Sequence, residues 1–295
     1  MSSSELNPSW LDRGEYPFEA NYFHSTVGKM HYVDEGEGDP VVFVHGNPDW
    51  SFSYRHQIKA LLGTNRCIAP DHIGFGLSDK PNNWSYLPKD HAKNFADFMD
   101  HLDLREITLV ANDWGGPIGL SYALENPERI KNLVILNTWC WSVEKDWYYR
   151  GFSGFAGGPI GKFLSSNFNF FARVILKQAY AVKSRLTPEL HRQFLAPFPS
   201  KKDRKGTWVF PREIIGSSEW LAGLWSKFDC ISDKRALILW GKKDIAFRDP
   251  QLDQWKKALH NFKSHTFSDA GHYPHEEKHE EVSSYLKEFL RNSSI

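Results

Sequence analysis

The sequence predicts an α/β fold: a mostly parallel central sheet flanked by helices, with a helical cap inserted between two halves of one core. Three observations predict it. Short continuous apolar runs recur at Val41 to Val44, Cys67 to Ala69, Ile107 to Val110, Leu133 to Leu136 and Ala236 to Trp240. Each has the length of a strand buried on both faces, as parallel strands are. Amphipathic patterns lie between them: Ala92, Phe95, Met99 and Leu102 keep helical spacing, as do Val282, Tyr285, Leu286, Phe289 and Leu290. Strands alternating with helices make a sheet covered on both sides. The alternation then breaks once, in a stretch rich in aromatic residues and punctuated by Gly and Pro.

In chain order, His24 to Val33 reads as an antiparallel leading hairpin strand, followed by the buried strands named above. From Thr138 to Arg212 no strand pattern is visible. Trp139, Trp141, Trp147, Tyr148, Tyr149, Phe152 and Phe155 crowd its start, and Gly157-Gly158-Pro159 interrupts it. Helical patterns follow at Phe163 to Tyr180 and Pro188 to Leu195. The core pattern resumes with Glu219 to Phe228, the strand Ala236 to Trp240 and a short strand around His265 to Phe267. The domain expectation is therefore a core of residues 1–137 and 213–295 with a cap of residues 138–212.

Composition narrows the function classes. The chain has 295 residues, 41% hydrophobic and 24% charged, an ordinary globular balance. Its 36 basic residues offset 36 acidic ones, and no basic stripe suggests a nucleic-acid partner. Cys67, Cys140 and Cys230 are too few and too scattered for a disulfide framework or a zinc motif, and read as reduced, buried thiols. Residues 1–8 lack the charged start and apolar run of a secretory signal. No stretch approaches the roughly 20 apolar residues of a membrane span. A soluble cytoplasmic protein without membrane attachment is expected. The aromatic share of 15% favours an apolar, aromatic-walled pocket.

The most informative segment is Leu109-Val110-Ala111-Asn112-Asp113-Trp114-Gly115-Gly116. An apolar strand runs into a tight turn, and Gly115, Gly116 and Pro117 open a helix. This is the layout of a nucleophile elbow, G-x-S-x-G, with Asp113 in the nucleophile's place and Ala111 for the first glycine. The exchange restricts the chemistry. Serine attacking saturated carbon would form an ether, which water does not readily cleave, whereas aspartate forms an ester, which it does. An aspartate elbow therefore points to an alkyl electrophile. The bland alternative is a structural Asp capping the helix.

Three loops sit beyond strand carboxyl ends, where open α/β sheets place their chemistry. They are His45-Gly46-Asn47-Pro48, Gly241-Lys242-Lys243-Asp244 and Asp269-Ala270-Gly271-His272-Tyr273-Pro274. The order Asp113, Asp244, His272 is the nucleophile–acid–histidine order of this layout. His272 is expected to deprotonate the water that cleaves the ester, and Asp244 to fix its tautomer. Asp71 and Asp269 are the alternatives to Asp244. His272 and His275 have an i, i+3 metal-like spacing, but no third ligand accompanies them, so neither metal nor cofactor is expected. A departing halide needs donors in a dry pocket. The Trp114 indole and the Asn47 amide supply such donors beside the elbow, and their backbone N–H groups are the expected oxyanion hole.

These linked motifs closely resemble the haloalkane dehalogenases of the α/β-hydrolase superfamily. The resemblance covers nearly the whole chain, including Asp39 to Arg55, Arg66 to Pro81 with Ile-Gly-Phe-Gly-Leu-Ser-Asp-Lys-Pro, Asn112 to Gly116, and Trp208 to Ile214. It implies an α/β-hydrolase fold and hydrolysis of a haloalkane to a primary alcohol, halide and a proton. Asp113 is the implied nucleophile, His272 the base, and Asn47 with Trp114 the halide pair. Some family members carry the acid as Glu after the sixth strand; Asn137 stands there, leaving Asp244 as the acid, a pattern similar to the third subfamily. The rival expectations are an epoxide hydrolase using Tyr148, Tyr149 or Tyr180 of the cap as acids, and a non-enzymatic protein on the same fold.

Overall fold

A computed structural model describes residues 8–291; residues 1–7, read above for a secretory signal, and 292–295 lie outside them. Eight strands form one sheet in the order β1-β2-β4-β3-β5-β6-β7-β8. They are β1 (Asn21–His24), β2 (Lys29–Glu35), β3 (Pro40–Val44), β4 (Arg66–Pro70), β5 (Ile107–Asp113), β6 (Ile130–Thr138), β7 (Arg235–Gly241) and β8 (Phe262–Phe267). The pairs from β4 through β8 are parallel, while β2 runs antiparallel to both β1 and β4. Strands β3 and β5 are almost wholly buried, which is why they read as unbroken apolar runs rather than alternating ones.

One expectation is corrected at the start of the sheet. His24 to Val33 is not a single strand but contains the turn between β1 and β2. The Ser25 hydroxyl donates to the Gly28 carbonyl and accepts from the Val27 and Gly28 N–H groups. A serine closing a turn on its own backbone leaves little mark on an apolar pattern.

Core helices pack on both sides of the sheet: α1 (Arg55–Leu61), α2 (Pro88–Leu102) and α3 (Gly115–Glu125). Between β6 and β7 the chain forms helices joined by irregular segments, with no strand. It forms α4 (Trp147–Ala156), α5 (Pro159–Phe168), a wide turn at Phe171–Ile175 running into α6 (Leu176–Ala179), α7 (Pro188–Leu195), α8 (Lys205–Gly216) and α9 (Ser218–Trp225). The expected helix Phe163 to Tyr180 is thus two pieces. Asn169 ends the first in the left-handed region, φ 55°, a conformation Asn tolerates better than most residues. The fold closes with α10 (Asp249–Ala258), the one-turn α11 (Pro274–Glu277) and α12 (His279–Arg291). His275 lies on that one-turn helix. All three cysteines are free, but Cys230 is exposed where burial was expected. Among the described residues no helix is long and apolar enough to cross a membrane.

Candidate active site

Strand β5 delivers Asp113 at its last residue, and the chain there adopts φ 51°, in the left-handed region. Such a backbone is strained for a non-glycine residue and is held by its surroundings. Gly115 and Gly116 make the turn sterically feasible: a side chain at Gly115 would collide with the Val44 carbonyl, and one at Gly116 with the Thr138 hydroxyl. That hydroxyl donates in turn to the Asp113 carbonyl. Gly46 lets the loop after β3 approach closely, since any Cβ there would strike the Asp113 carboxyl.

The close approach has a chemical result. The Asn47 backbone N–H donates to Asp113 Oδ1 at 2.8 Å, and the Trp114 backbone N–H is also hydrogen-bonded to the carboxyl. His45 sets that loop: its Nε2 accepts from the His72 N–H at 2.9 Å, so its Nδ1 carries the proton donated to Gly46 O at 2.8 Å. Burial raises the pKa of Asp113, against the pull of His272 and the two N–H groups.

His272 lies beside the carboxylate. Its Nδ1 is 2.9 Å from Asp244 Oδ2 and its Nε2 is 3.6 Å from Asp113 Oδ2. The first is a hydrogen bond, and the second is a charge contact longer than one. Burial alone would lower the pKa of His272, but the Asp244 charge and hydrogen bond, with Asp113 behind them, overcome it and push the ring up to about 9. The candidates named from sequence, Asp113, Asp244, His272, Asn47 and Trp114, thus converge on one place.

The alternatives go elsewhere. Asp71 pairs with His31 at 2.9 Å and accepts from the Ser51 and Leu77 N–H groups, while Asp269 pairs with Arg185 and Lys278. His275 stacks on Tyr54 at 4.7 Å between centroids.

Asn47, Asp113, Trp114 and His272 line one cavity, concave and mostly apolar as small-molecule sites are. Its wall is apolar, formed in part by Trp139, Phe152, Phe171, Ile175, Ile214 and Phe247. Trp114 is wedged edge-on against Trp139 at 4.6 Å and tilted against Phe210 at 5.3 Å. Among the described residues, neither the Trp114 indole N–H nor the Asn47 side-chain amide has a protein hydrogen-bond partner.

Several supporting residues escaped the sequence reading. Asn137 was noted only as the absence of a glutamate. Its amide donates to Asp244 Oδ2 at 2.9 Å and to Gly241 O at 3.0 Å, and accepts from Gly241 N–H at 2.7 Å. It pins the turn that carries Asp244. Asn112 donates to Leu136 O at 2.8 Å and His272 O at 3.1 Å, tying the elbow to the histidine loop. The available signal was a polar amide at the carboxyl end of an otherwise apolar strand. Tyr148 and Tyr149, counted as possible acids, donate their hydroxyls to Ile245 O and Ala246 O in the loop after Asp244. Tyr180 is buried and does not line the cavity.

The family model for the alpha/beta hydrolase fold matches residues 39–279. Haloalkane dehalogenase 2 of Mycobacterium tuberculosis is 36% identical over 234 residues, covering 79% of this chain and 81% of that protein. The chain belongs to the haloalkane dehalogenase family of the α/β-hydrolase superfamily. In structure it is similar to the haloalkane dehalogenase DatA from Agrobacterium tumefaciens C58, with a TM-score of 0.82, 26% identity, and 98% and 99% of the two chains covered. A second kind of relative is as near in sequence. The cis-3-alkyl-4-alkyloxetan-2-one decarboxylase of Shewanella oneidensis is 35% identical over 289 residues, covering 93% of this chain and 89% of that protein.

Proposed function

We propose that this enzyme is a haloalkane dehalogenase working through an alkyl ester on Asp113. The observation that carries the reading is a carboxylate at the elbow, flanked by two side-chain donors without protein partners and by a buried His–Asp pair. Asp113 Oδ1 is held by backbone N–H, so Oδ2 is the attacking oxygen. It displaces halide in line from a saturated carbon, and the C–X electron pair leaves with the halide toward the Asn47 amide and the Trp114 indole. His272 Nε2 then takes a proton from water as the water oxygen attacks the ester carbonyl. The resulting oxyanion rests on the Asn47 and Trp114 backbone N–H groups. Collapse expels the alkoxide, which His272 protonates, and the regenerated Asp113 carboxyl loses the remaining proton. The products are alcohol, halide and a proton.

An oxetan-2-one is the second reading, favoured by the decarboxylase relatives. Its saturated ring carbon also carries an anionic leaving group, here the ring's own carboxylate. Asp113 attack would open the ring. Loss of CO₂ would then form the alkene as the Asp113 C–O bond breaks, with no water consumed. The two readings separate on His272. A His272→Phe variant should stall as the ester on a haloalkane, yet still turn over an oxetan-2-one. Epoxide hydrolysis ranks below both, because Tyr148 and Tyr149 have their hydroxyls committed to backbone carbonyls. The test is rapid-quench measurement of bromide and alcohol from 1-bromobutane. A bromide burst equal to the enzyme concentration supports the ester route, and release of both products in step without any ester counts against it.

A further inference from the structure

The loop carrying His272 is gripped from the cap, and a single buried carboxylate makes much of the contact. After His272 the chain makes the one-turn helix α11, which turns Glu277 back beneath the loop. Its side chain is fully buried. Oε1 accepts from Gly271 N–H at 2.7 Å and Ala181 N–H at 3.0 Å, and Oε2 accepts from Val182 N–H at 3.0 Å. Gly271 immediately precedes His272, while Ala181 and Val182 follow α6 in the cap. The grip continues on both sides. His272 N–H donates to Ala179 O at 3.0 Å, and Arg185 donates to both Asp269 O and Asp269 Oδ2 at 2.8 Å while its guanidinium lies 3.6 Å from Glu277 Oε2 as an ion-pair partner. Gly271 fits only as glycine, because a side chain there would strike the Ala179 carbonyl.

We propose that Glu277 is a positioning residue for His272, through which the cap holds the base for ester hydrolysis; this rests on the reading of His272 as that base. A joint between cap and core needs no charge. Burying a carboxylate is costly unless its oxygens are hydrogen-bonded, and an apolar contact would close such a joint more cheaply. What the carboxylate adds is direction. It gathers N–H groups from two irregular segments that no ladder orders, and one of them adjoins the base. A catalytic ring must be held to within roughly half an ångström by groups that are themselves fixed. The Asp113 carboxylate itself is held by the Asn47 and Trp114 N–H groups, which Glu277 does not touch. Disturbing Glu277 should therefore slow the second step and spare the first.

The test is Glu277→Gln, in which an amide –NH₂ must face at least one of the three backbone donors. With 1-bromobutane, ester formation in a single turnover should keep its wild-type rate, while ester hydrolysis falls by about 10- to 100-fold, as a small misplacement of a catalytic group does. Intact-protein mass spectrometry should then show the butyl ester accumulating at steady state. Independently of turnover, the downfield proton resonance of the His272 Nδ1–H bonded to Asp244 should broaden or shift in Glu277→Gln. It should stay unchanged in Glu288→Gln, an exposed control on α12. Arg185→Met, which loosens the same grip from the cap side, should show a weaker form of both effects and serves if the first variant fails to fold. Equal slowing of both steps, or an unchanged His272 resonance in the folded variants, overturns the proposal. Failure of His272→Phe to accumulate ester while Glu277→Gln moves the resonance would refute the function of the base and leave its positioning intact.

Discussion

Forming the ester on Asp113 should itself switch His272 into a base. The ring is held at about 9 chiefly by Asp244, with a further contribution from Asp113. At that value it is an imidazolium at neutral pH and cannot accept a proton from water. Alkylation removes the Asp113 charge, which lies 3.6 Å from Nε2. At that separation the attraction between unit charges runs from about 1 kcal/mol in water to about 5 kcal/mol at an effective dielectric of about 20. This corresponds to about 1 to 3 pKa units. Asp113→Asn imitates the neutral ester in shape and charge. Titration of the ¹⁵N-labelled histidine rings by NMR should find His272 about 1 to 3 units lower in that variant than in the wild type. A value equal to or above the wild-type one would refute the coupling, and with it the idea that the first step prepares the base for the second.

The leaving-group donors give a second prediction. Trp114→Phe and Asn47→Leu should each slow bromide release by about 100- to 1000-fold, with a larger loss for a chloroalkane, as rapid quench would measure. Asn137→Leu removes the bonds that pin the Asp244 turn. Urea unfolding should show a loss of about 1 to 3 kcal/mol, and ester hydrolysis should slow more than ester formation. Stability should also depend on alkaline pH. The folded pKa of His272, about 9 against the ordinary 6.5 of a histidine, is worth on the order of 3 kcal/mol. That contribution is complete below pH 6.5 and lost as pH rises through 9. Between about pH 6 and about pH 10 the wild type should therefore lose more stability than His272→Phe.

The parts of the fold legible in the sequence were those where burial is two-sided. Strands β3 to β7 are walled by helices, so their apolar runs need no periodicity to be recognised, and the loops that follow them could be named as candidate sites. Local backbone chemistry hid the rest. The Ser25 turn divides an apparently continuous strand, and Asn169 in the left-handed region ends a helix whose apolar pattern runs on. In the candidate site, the residues proposed to act on substrate announce themselves by type: a carboxylate where a hydroxyl is usual, an indole beside it, a histidine in a glycine-flanked loop. Residues that hold those groups do not. Asn137 lies 107 residues from Asp244, and Glu277 lies 96 residues from Ala181. An amide ending an apolar strand marks itself as unusual without naming its partner, and a glutamate on a short helix does neither.

The central claim is that Asp113 is alkylated, and the most direct test is intact-protein mass spectrometry of His272→Phe after exposure to 1-bromobutane, followed by peptide mapping. A butyl adduct on Asp113, with bromide released in equal amount, is the expected result. An unmodified protein, or an adduct on another residue, would contradict it.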